Sequence, residues 1–283
     1  MINRHRDPTR GSSRPRGLIA CLVLGLLLLA GVGYGVMRGT GALATEWEKQ
    51  FRIEDPELDV VITTGKMVRP EVVTLLFGLT NGANLAEIPF EERRLKILER
   101  IPNIRDIQIE RRLPRRVNIA VHEREPLARI ASPRGRIQAN HVADREGVVF
   151  RFANNTSLLP IVREAVSPPT PPGKRLTGHV AAALRLVETA AQPDFADLRV
   201  LEVETANKDY LLVTLGNYDR AKFAWEHMDD DTRQSRDSLR RQLRRLRDVI
   251  ATHTTPRATT WIATDWSTPG RFYASDPNRK GNP

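Results

Sequence analysis

The segment from Ile107 to Pro126 reads IQIERRLPRRVNIAVHEREP, and it is the most informative stretch for the architecture of the chain. Two runs of alternating hydrophobic and polar residues flank a basic turn that contains Pro114. Alternation with a period of two is typical of strands that bury one face. The segment therefore predicts an antiparallel hairpin, whose buried face is formed by Ile107, Ile109, Val117, Ile119 and Val121.

The residues before the hairpin predict one strand and two helices. The alternation from Leu58 to Thr63 predicts a strand. Pro70 suits the first turn of a helix that continues to Leu76. A second helix is predicted from about Pro89 to Ile101, because its hydrophobic residues share one side. The order β-α-α-β-β then describes one small α+β domain over residues 51–126.

The rest of the chain predicts a second domain over residues 127–275, so the fold class is α+β throughout. The proline-rich stretch 168–173 is interpreted as a loop inside this domain, because strand patterns continue beyond it. A helix is predicted from about His179 to Ala191, and a long charged helical region from Tyr218 to about Thr252. Residues 276–283 are predicted to be a disordered tail. Strands are predicted near 136–138, 147–152, 158–162, 198–203, 210–215, 260–266 and 271–275.

Residues 17–37 form an uncharged run of 21 residues that is rich in leucine. At about 1.5 Å per residue a helix of this length spans roughly 31 Å, which matches the hydrocarbon core of a bilayer. Residues 1–16 carry five arginines and one acidic residue. The positive-inside rule predicts a cytoplasmic basic tail, a single transmembrane signal anchor at 17–37, a connector at 38–50 and exported domains beyond it.

Two alternatives for this segment remain. Ala42-Leu43-Ala44 resembles a signal-peptidase site, but a signal peptide has a shorter hydrophobic region. Leu18-Ile19-Ala20-Cys21 imitates a lipoprotein box, although there the hydrophobic run precedes the cysteine. Cys21 is the only cysteine, so the exported part has no disulfide and depends on its hydrophobic cores.

Composition and motif spacing argue against several classes of function. The formal net charge is +10, but the excess arginines are dispersed, so we interpret them as a solvated basic surface rather than a nucleic-acid site. None of the six histidines has metal-ligand spacing, and no nucleophile or phosphate-loop motif is present. The sequence therefore predicts no catalytic residue, cofactor, metal or small-molecule substrate. A dispersed pair of carboxylates remains the alternative for an anchored cell-wall enzyme.

Four hydrophobic residues form one stripe of the arginine-rich segment 236–250, namely Leu239, Leu243, Leu246 and Ile250. This pattern predicts an amphipathic helix that packs on its own sheet. A helix that binds a partner or a lipid surface is the alternative interpretation.

Several blocks in this order resemble the cell-division protein family FtsQ, called DivIB in Gram-positive bacteria. The first block comprises Arg111-Arg112-Leu113-Pro114 and the strand at 117–121, followed by Glu123-Arg124-Glu125-Pro126-Leu127-Ala128. The second block is Asp144 to Phe150. Earlier in the chain, Gly65 with Val68 and the pair Asn84-Leu85 resemble the family's turn and junction.

This resemblance implies that residues 51–126 are a POTRA domain and residues 127–275 the family's β domain. It further implies a non-enzymatic scaffold of the division machinery in the inner membrane at the septum. The POTRA domain would bind other division proteins, and the C-terminal sheet edge would bind FtsB and FtsL. The implied partner-binding residues are Trp266, Ser267, Gly270, Arg271, Phe272, Tyr273 and Ala274.

The chain departs from the family pattern at three places, one of which is a segment at 226–238 that is longer than usual. Pro102 is followed by Asn103, where the family usually has an aromatic residue, and the strand at 261–266 lacks the usual Asp-Leu-Arg arrangement. The competing hypothesis from a different class is a POTRA-bearing component of protein export or outer-membrane assembly. Such proteins usually add a membrane β-barrel, for which the remaining residues are too few.

Overall fold

The computed structural model describes residues 49–112, 114–133, 135, 137, 140–216, 219–252, 260–264 and 271–274. In this part of the chain two β-sheets are present, one of three strands and one of nine. The architecture is mixed α+β, as the sequence predicts. No helix among these residues is both long enough and apolar enough to cross a bilayer. The predicted anchor at 17–37, like the tail at 276–283, lies outside the described residues.

The smaller sheet contains the predicted hairpin, and its strands are ordered β1-β3-β2. Strand β1 is parallel to β3, which is antiparallel to β2. The predicted order of strands and helices is confirmed, with one short helix added before it. The elements are α1 (Pro56–Asp59), β1 (Val60–Thr63), α2 (Pro70–Phe77), α3 (Phe90–Arg100), β2 (Ile104–Arg112) and β3 (Arg116–Glu123).

The start of the first strand is one correction to the prediction. Leu58 lies in helix α1 with 68% of its surface exposed, so it does not belong to a buried strand face. Asp55 caps this helix, because its side chain accepts a hydrogen bond from the Glu57 amide, and Pro56 starts it. These local helix signals prevail over the alternation of the sequence.

The larger sheet is ordered β12-β11-β10-β9-β8-β7-β4-β5-β6. A 3-10 helix, Pro193–Leu198, precedes β8. The sheet continues on both sides of the proline-rich stretch 168–173, so that stretch is a loop within it, as predicted. The elements are β4 (Ala128–Ala131), β5 (His141–Ala143), β6 (Val149–Arg151), β7 (Ile161–Arg163), α4 (Gly178–Ala190), β8 (Val200–Glu204), β9 (Leu211–Leu215), β10 (Arg220–Phe223), α5 (Arg233–Thr252), β11 (Thr260–Thr264) and β12 (Arg271–Ala274).

The prediction of one helical region from Tyr218 to Thr252 is wrong in its first part. Residues 220–223 form strand β10, and α5 begins only at Arg233. Ala221 and Phe223 are buried on the sheet, and β10 pairs antiparallel with β9. The alternation of buried and less buried residues at 220–223 therefore gives a strand, although the residues that follow are strongly polar.

The region after Pro126 contains two strands that the sequence analysis missed. The prediction places a strand near 136–138, and residues 136 and 138 lie outside the described part of the chain. The described strands on either side are β4 and β5. Both are short and almost wholly buried, so neither shows the alternation by which a strand is recognised.

Each sheet has its own hydrophobic core. In the first, Phe77 and Phe90 from the two helices pack against the buried face of the hairpin. In the second, α4 and α5 cover the sheet and bury Leu186, Leu239 and Leu243 among its strands. The predicted amphipathic helix is thus confirmed as one that packs on its own sheet, with its stripe inside the core.

Candidate functional site

Strand β12 lies at one edge of the nine-stranded sheet. It pairs antiparallel with β11, with Thr264 opposite Arg271 and Trp261 opposite Ala274. Among the described residues no strand pairs with its other side. Such an edge presents main-chain N–H and C=O groups that an added strand can bind. This edge is the candidate functional site.

The structure describes four of the seven predicted partner-binding residues. Arg271, Phe272, Tyr273 and Ala274 form β12 itself, which agrees with the predicted strand. The other three are Trp266, Ser267 and Gly270, and they lie outside the described residues. The predicted strand from Thr260 is described as far as Thr264.

Helix α5 supports this edge from one face of the sheet. Because β10 and β11 are parallel, the chain must cross from one end of the sheet to the other between them, and α5 makes this crossing. The buried Trp225 holds the start of the helix, since its indole Nε1–H donates to the Ser235 hydroxyl at 3.0 Å. The helix also contacts β12. The position of the edge strand therefore depends on how α5 packs.

The outer surface of α5 is strongly basic. Arg236 donates from Nε and Nη2 to both oxygens of Asp231, at 2.8 and 2.9 Å, and these hydrogen bonds hold the pKa of the Asp231 carboxyl below its usual value. Arg240, Arg241 and Arg244 are exposed and form no ion pair with any described residue. A partner on this side of the sheet would meet uncompensated positive charge.

The opposite edge of the sheet, at β6, is covered by the chain itself. The Val149 amide donates to the Lys174 carbonyl at 2.9 Å, and the Val149 carbonyl accepts from the Gly173 amide at 2.8 Å. The Asn103 side-chain amide, which comes from the smaller sheet's region, donates to the Arg151 carbonyl at 2.7 Å. Backbone groups of β6 that do not pair with β5 are thus hydrogen-bonded by other residues of the same chain.

The two blocks on which the family resemblance depends meet between the sheets. Arg124 donates to the Pro102 carbonyl at 3.1 Å, to Asp144 at 2.5 Å and to Glu146 at 3.0 Å. Asp144 also accepts the backbone amides of Glu146 and Val148. The Asp144 side chain is only 4% exposed, and that of Arg124 12%. Sequence analysis identified both blocks but missed this contact, which joins residues 20 positions apart.

The preceding residue, Glu123, fixes the loop that follows β1. Its carboxylate accepts backbone amides from Lys66, Met67 and Val68 at 2.8–3.1 Å. A Cβ at Gly65 would lie 2.4 Å from a Glu123 carboxylate oxygen, so a larger residue there would have to displace this carboxylate from the amides that it accepts.

The chemistry that this arrangement offers is main-chain pairing at the β12 edge, which no other described strand occupies. Among the residues that the structure describes, no group of three or more potential metal ligands comes together.

Comparison with known proteins finds two relatives of this chain, and both are cell-division proteins. The chain is 30% identical over 219 residues to the cell division protein FtsQ of Myxococcus fulvus, and the match covers 74% of this chain and 71% of that protein. It is 32% identical over 163 residues to the cell division protein FtsQ of Koribacter versatilis, with 56% and 44% covered. No protein-family model matches the chain.

Proposed function

This chain belongs to the FtsQ/DivIB family of cell-division proteins, and we propose that it acts as a non-enzymatic, membrane-anchored scaffold of the division machinery. In this proposal, residues 17–37 cross the inner membrane and the two sheets lie outside the cytoplasm at the septum. Residues 51–126 serve as a POTRA domain that binds other division proteins. Residues 127–275 serve as the β domain that binds FtsB and FtsL.

The observation that carries the proposal is the position of β12 at the edge of the nine-stranded sheet. The described chain covers the opposite edge but pairs with only one side of β12. Proteins usually protect such an edge, because it is otherwise a template for unwanted pairing. We infer that a strand of the FtsB–FtsL pair adds to β12 and extends the sheet.

Proline substitution at two neighbouring positions tests this edge directly. Successive residues of an antiparallel strand direct their amides alternately towards and away from the paired strand. One of the variants Phe272→Pro and Tyr273→Pro therefore removes an amide bonded to β11, and the other removes an amide that points outward. We expect the outward variant to lose roughly tenfold or more in affinity for the FtsB–FtsL pair, since one hydrogen bond is left unmade.

The measurement is the affinity of the purified full chain for the FtsB–FtsL pair, together with its unfolding temperature. The outward variant should unfold at the temperature of the parent protein, whereas the inward variant should unfold earlier. Phe272→Ala and Tyr273→Ala are the matched controls, because each shortens the same side chain as the corresponding proline variant and keeps the amide. If the outward proline variant unfolds normally and binds as tightly as its alanine control, the partner does not add a strand here.

A separate observation tests the location. A fluorescent fusion should form a band at mid-cell in dividing cells, and protease added to spheroplasts should digest the bulk of the chain while the anchor stays in the membrane. A uniform membrane signal, or a soluble form that begins near Thr45, would contradict the proposed anchoring and place of action.

A further inference from the structure

A cleft that no residue of β12 lines lies between helices α4 and α5 and the turn that joins β5 to β6. Its volume is about 520 Å³, within the usual range of small-ligand sites. Five arginines and three carboxylates line it, which leaves two positive charges in excess. The arginines are Arg145, Arg175, Arg185, Arg236 and Arg240, and the carboxylates are Glu146, Glu188 and Asp231.

Two of the three carboxylates are already engaged by arginines. Asp231 uses both oxygens to accept from Arg236. Glu146 accepts from Arg124, which lies outside the cleft, at 3.0 Å. Each of these two carboxylates is therefore already hydrogen-bonded to an arginine, although Asp231 also attracts the charge of Arg185.

Arg185 is the cation of this cleft that has an unsatisfied buried donor, although the charges of Asp229, Asp230 and Asp231 favour its charged form. Its Nη2 donates to the Met228 carbonyl at 2.6 Å, while its buried Nε has no hydrogen-bond partner among the described residues. Burial lowers the pKa of this guanidinium, because the charged form has lost part of its hydration. A buried donor without a partner is costly, so a bound acceptor at this point would be favoured.

Two further guanidinium groups line the same cleft from other parts of the chain. Arg175 follows the covering segment of the β6 edge, and Arg240 lies on α5. Both side chains are exposed, and neither forms an ion pair with a described residue, although the Arg175 backbone forms a β-bridge with Val148. Arginines from three separate segments thus border one space, and each offers several donors in a planar fork.

We propose that this cleft binds a phosphate group. A phosphate offers more acceptor oxygens than a carboxylate, so it suits several guanidinium groups that reach one space from different segments. The group belongs either to free phosphate or to the headgroup of an anionic phospholipid. Its binding is independent of the β12 edge and of the FtsB–FtsL proposal.

Calorimetric titration of the purified full chain in neutral detergent tests the site. The probes are inorganic phosphate and a short-chain phosphatidylglycerol kept below its micelle concentration, each at constant ionic strength set with chloride. We expect saturable binding of at least one probe. Arg240→Gln and Arg175→Gln should each weaken it roughly tenfold, because each removes a charge-assisted hydrogen bond.

The matched control is Arg241→Gln, which removes the same charge from the same helix at a position that does not line the cleft. We expect the affinity of this variant to stay within about twofold of the parent, because the exposed charge of Arg241 does not line the cleft and is screened by salt. Tighter binding of the lipid identifies a headgroup, and binding of phosphate alone identifies the free ion. Absence of binding for both probes, or equal losses in Arg240→Gln and Arg241→Gln, would overturn the proposal.

Discussion

The two edges of the nine-stranded sheet are built in opposite ways. At β6 the chain folds back, so that Val149 exchanges backbone hydrogen bonds with residues 173 and 174, and Asn103 binds the Arg151 carbonyl. At β12 the described chain provides pairing on one side only. One edge is closed by internal hydrogen bonds, and the other has no partner strand among the residues that the structure describes.

The difference shows that an edge strand can either hold two parts of a fold together or remain uncovered for a partner. The β6 edge joins the two sheets, because the residues that cover it come from the loop 168–176 and from the region after α3. The β12 edge lies at the far end of the same sheet, supported by α5. Substitutions at the two edges should therefore affect different properties, stability in the first case and partner affinity in the second.

The largest effect is expected at the closed edge, from Arg124→Met. This change leaves the nearly buried Asp144 carboxylate without its cation, which should lower the free energy of unfolding by about 3 kcal/mol. The measurement is urea unfolding of the full chain. Arg145→Met is the control, because its side chain is exposed and lies 3.6 Å from its partner, so its loss should stay below about 0.5 kcal/mol. Equal losses in the two variants would show that the Arg124 contact stabilises the fold no more than an exposed ion pair does.

Val149→Pro tests the covering hydrogen bonds themselves. Proline removes the donor to the Lys174 carbonyl, and we expect a loss of about 2 kcal/mol in unfolding free energy with no change in affinity for the partner pair. Hydrogen exchange should show faster exchange of the Gly173 amide, whose acceptor is the Val149 carbonyl. If that amide keeps its protection, the loop is not held by β6.

The corresponding change for the β12 edge is Trp266→Ala, at a residue that lies outside the described part of the chain. The family resemblance implies that Trp266 is a partner anchor, and truncation of such an anchor should weaken binding to the FtsB–FtsL pair by about 2 kcal/mol. The unfolding free energy should stay unchanged, which is the reverse of the result expected at the closed edge. Unchanged affinity with intact folding would move the interface, most simply to the arginine-rich surface from Arg240 to Arg247.

The smallest effect concerns acid stability just before helix α5, where Asp231 binds Arg236. The pKa of Asp231 is lowered in the folded protein by its hydrogen bonds with Arg236. A lowered carboxyl pKa gives stability that is fully present above the ordinary value of 3.8 and is lost as the pH falls from there through the folded-state pKa. Because Asp231 is more than half exposed, we expect less than about 0.5 kcal/mol.

Asp231→Asn should abolish this part of the acid dependence while leaving stability at neutral pH almost unchanged. Urea unfolding at a series of pH values below 5 would measure it. A variant with the parental pH dependence would show that the Arg236 contact contributes nothing to folding.

Much of the smaller sheet could be predicted from the sequence, because its signals are local. Pro70 starts α2 as expected, and the alternation at 117–121 lies on the buried face of β3. The larger sheet was harder to predict. Strands β4 and β5 are three or four residues long and buried on both faces, so they show no alternation. Strand β10 is short and precedes a long charged segment, so the sequence pattern predicts a single helical region across both.

The candidate site was predictable only as a segment. The positions of β11 and β12 follow from hydrophobic patterns near the end of the chain. Whether a strand lies at an edge depends on the order of all nine strands, which no local pattern contains. The pairing of Arg124 with Asp144 was equally hidden, because it depends on how the two sheets approach one another.

Glu123 and Arg124 determine how firmly the smaller sheet is connected to the larger one. The two consecutive side chains bind different segments, one the loop after β1 and the other the turn before β6. The backbone at this joint is therefore held by hydrogen bonds to both parts of the chain. A pull or rotation imposed on the smaller sheet would be transmitted through it to the larger sheet, so the orientation of the distant β12 edge would follow that of the part of the chain nearest the predicted membrane anchor.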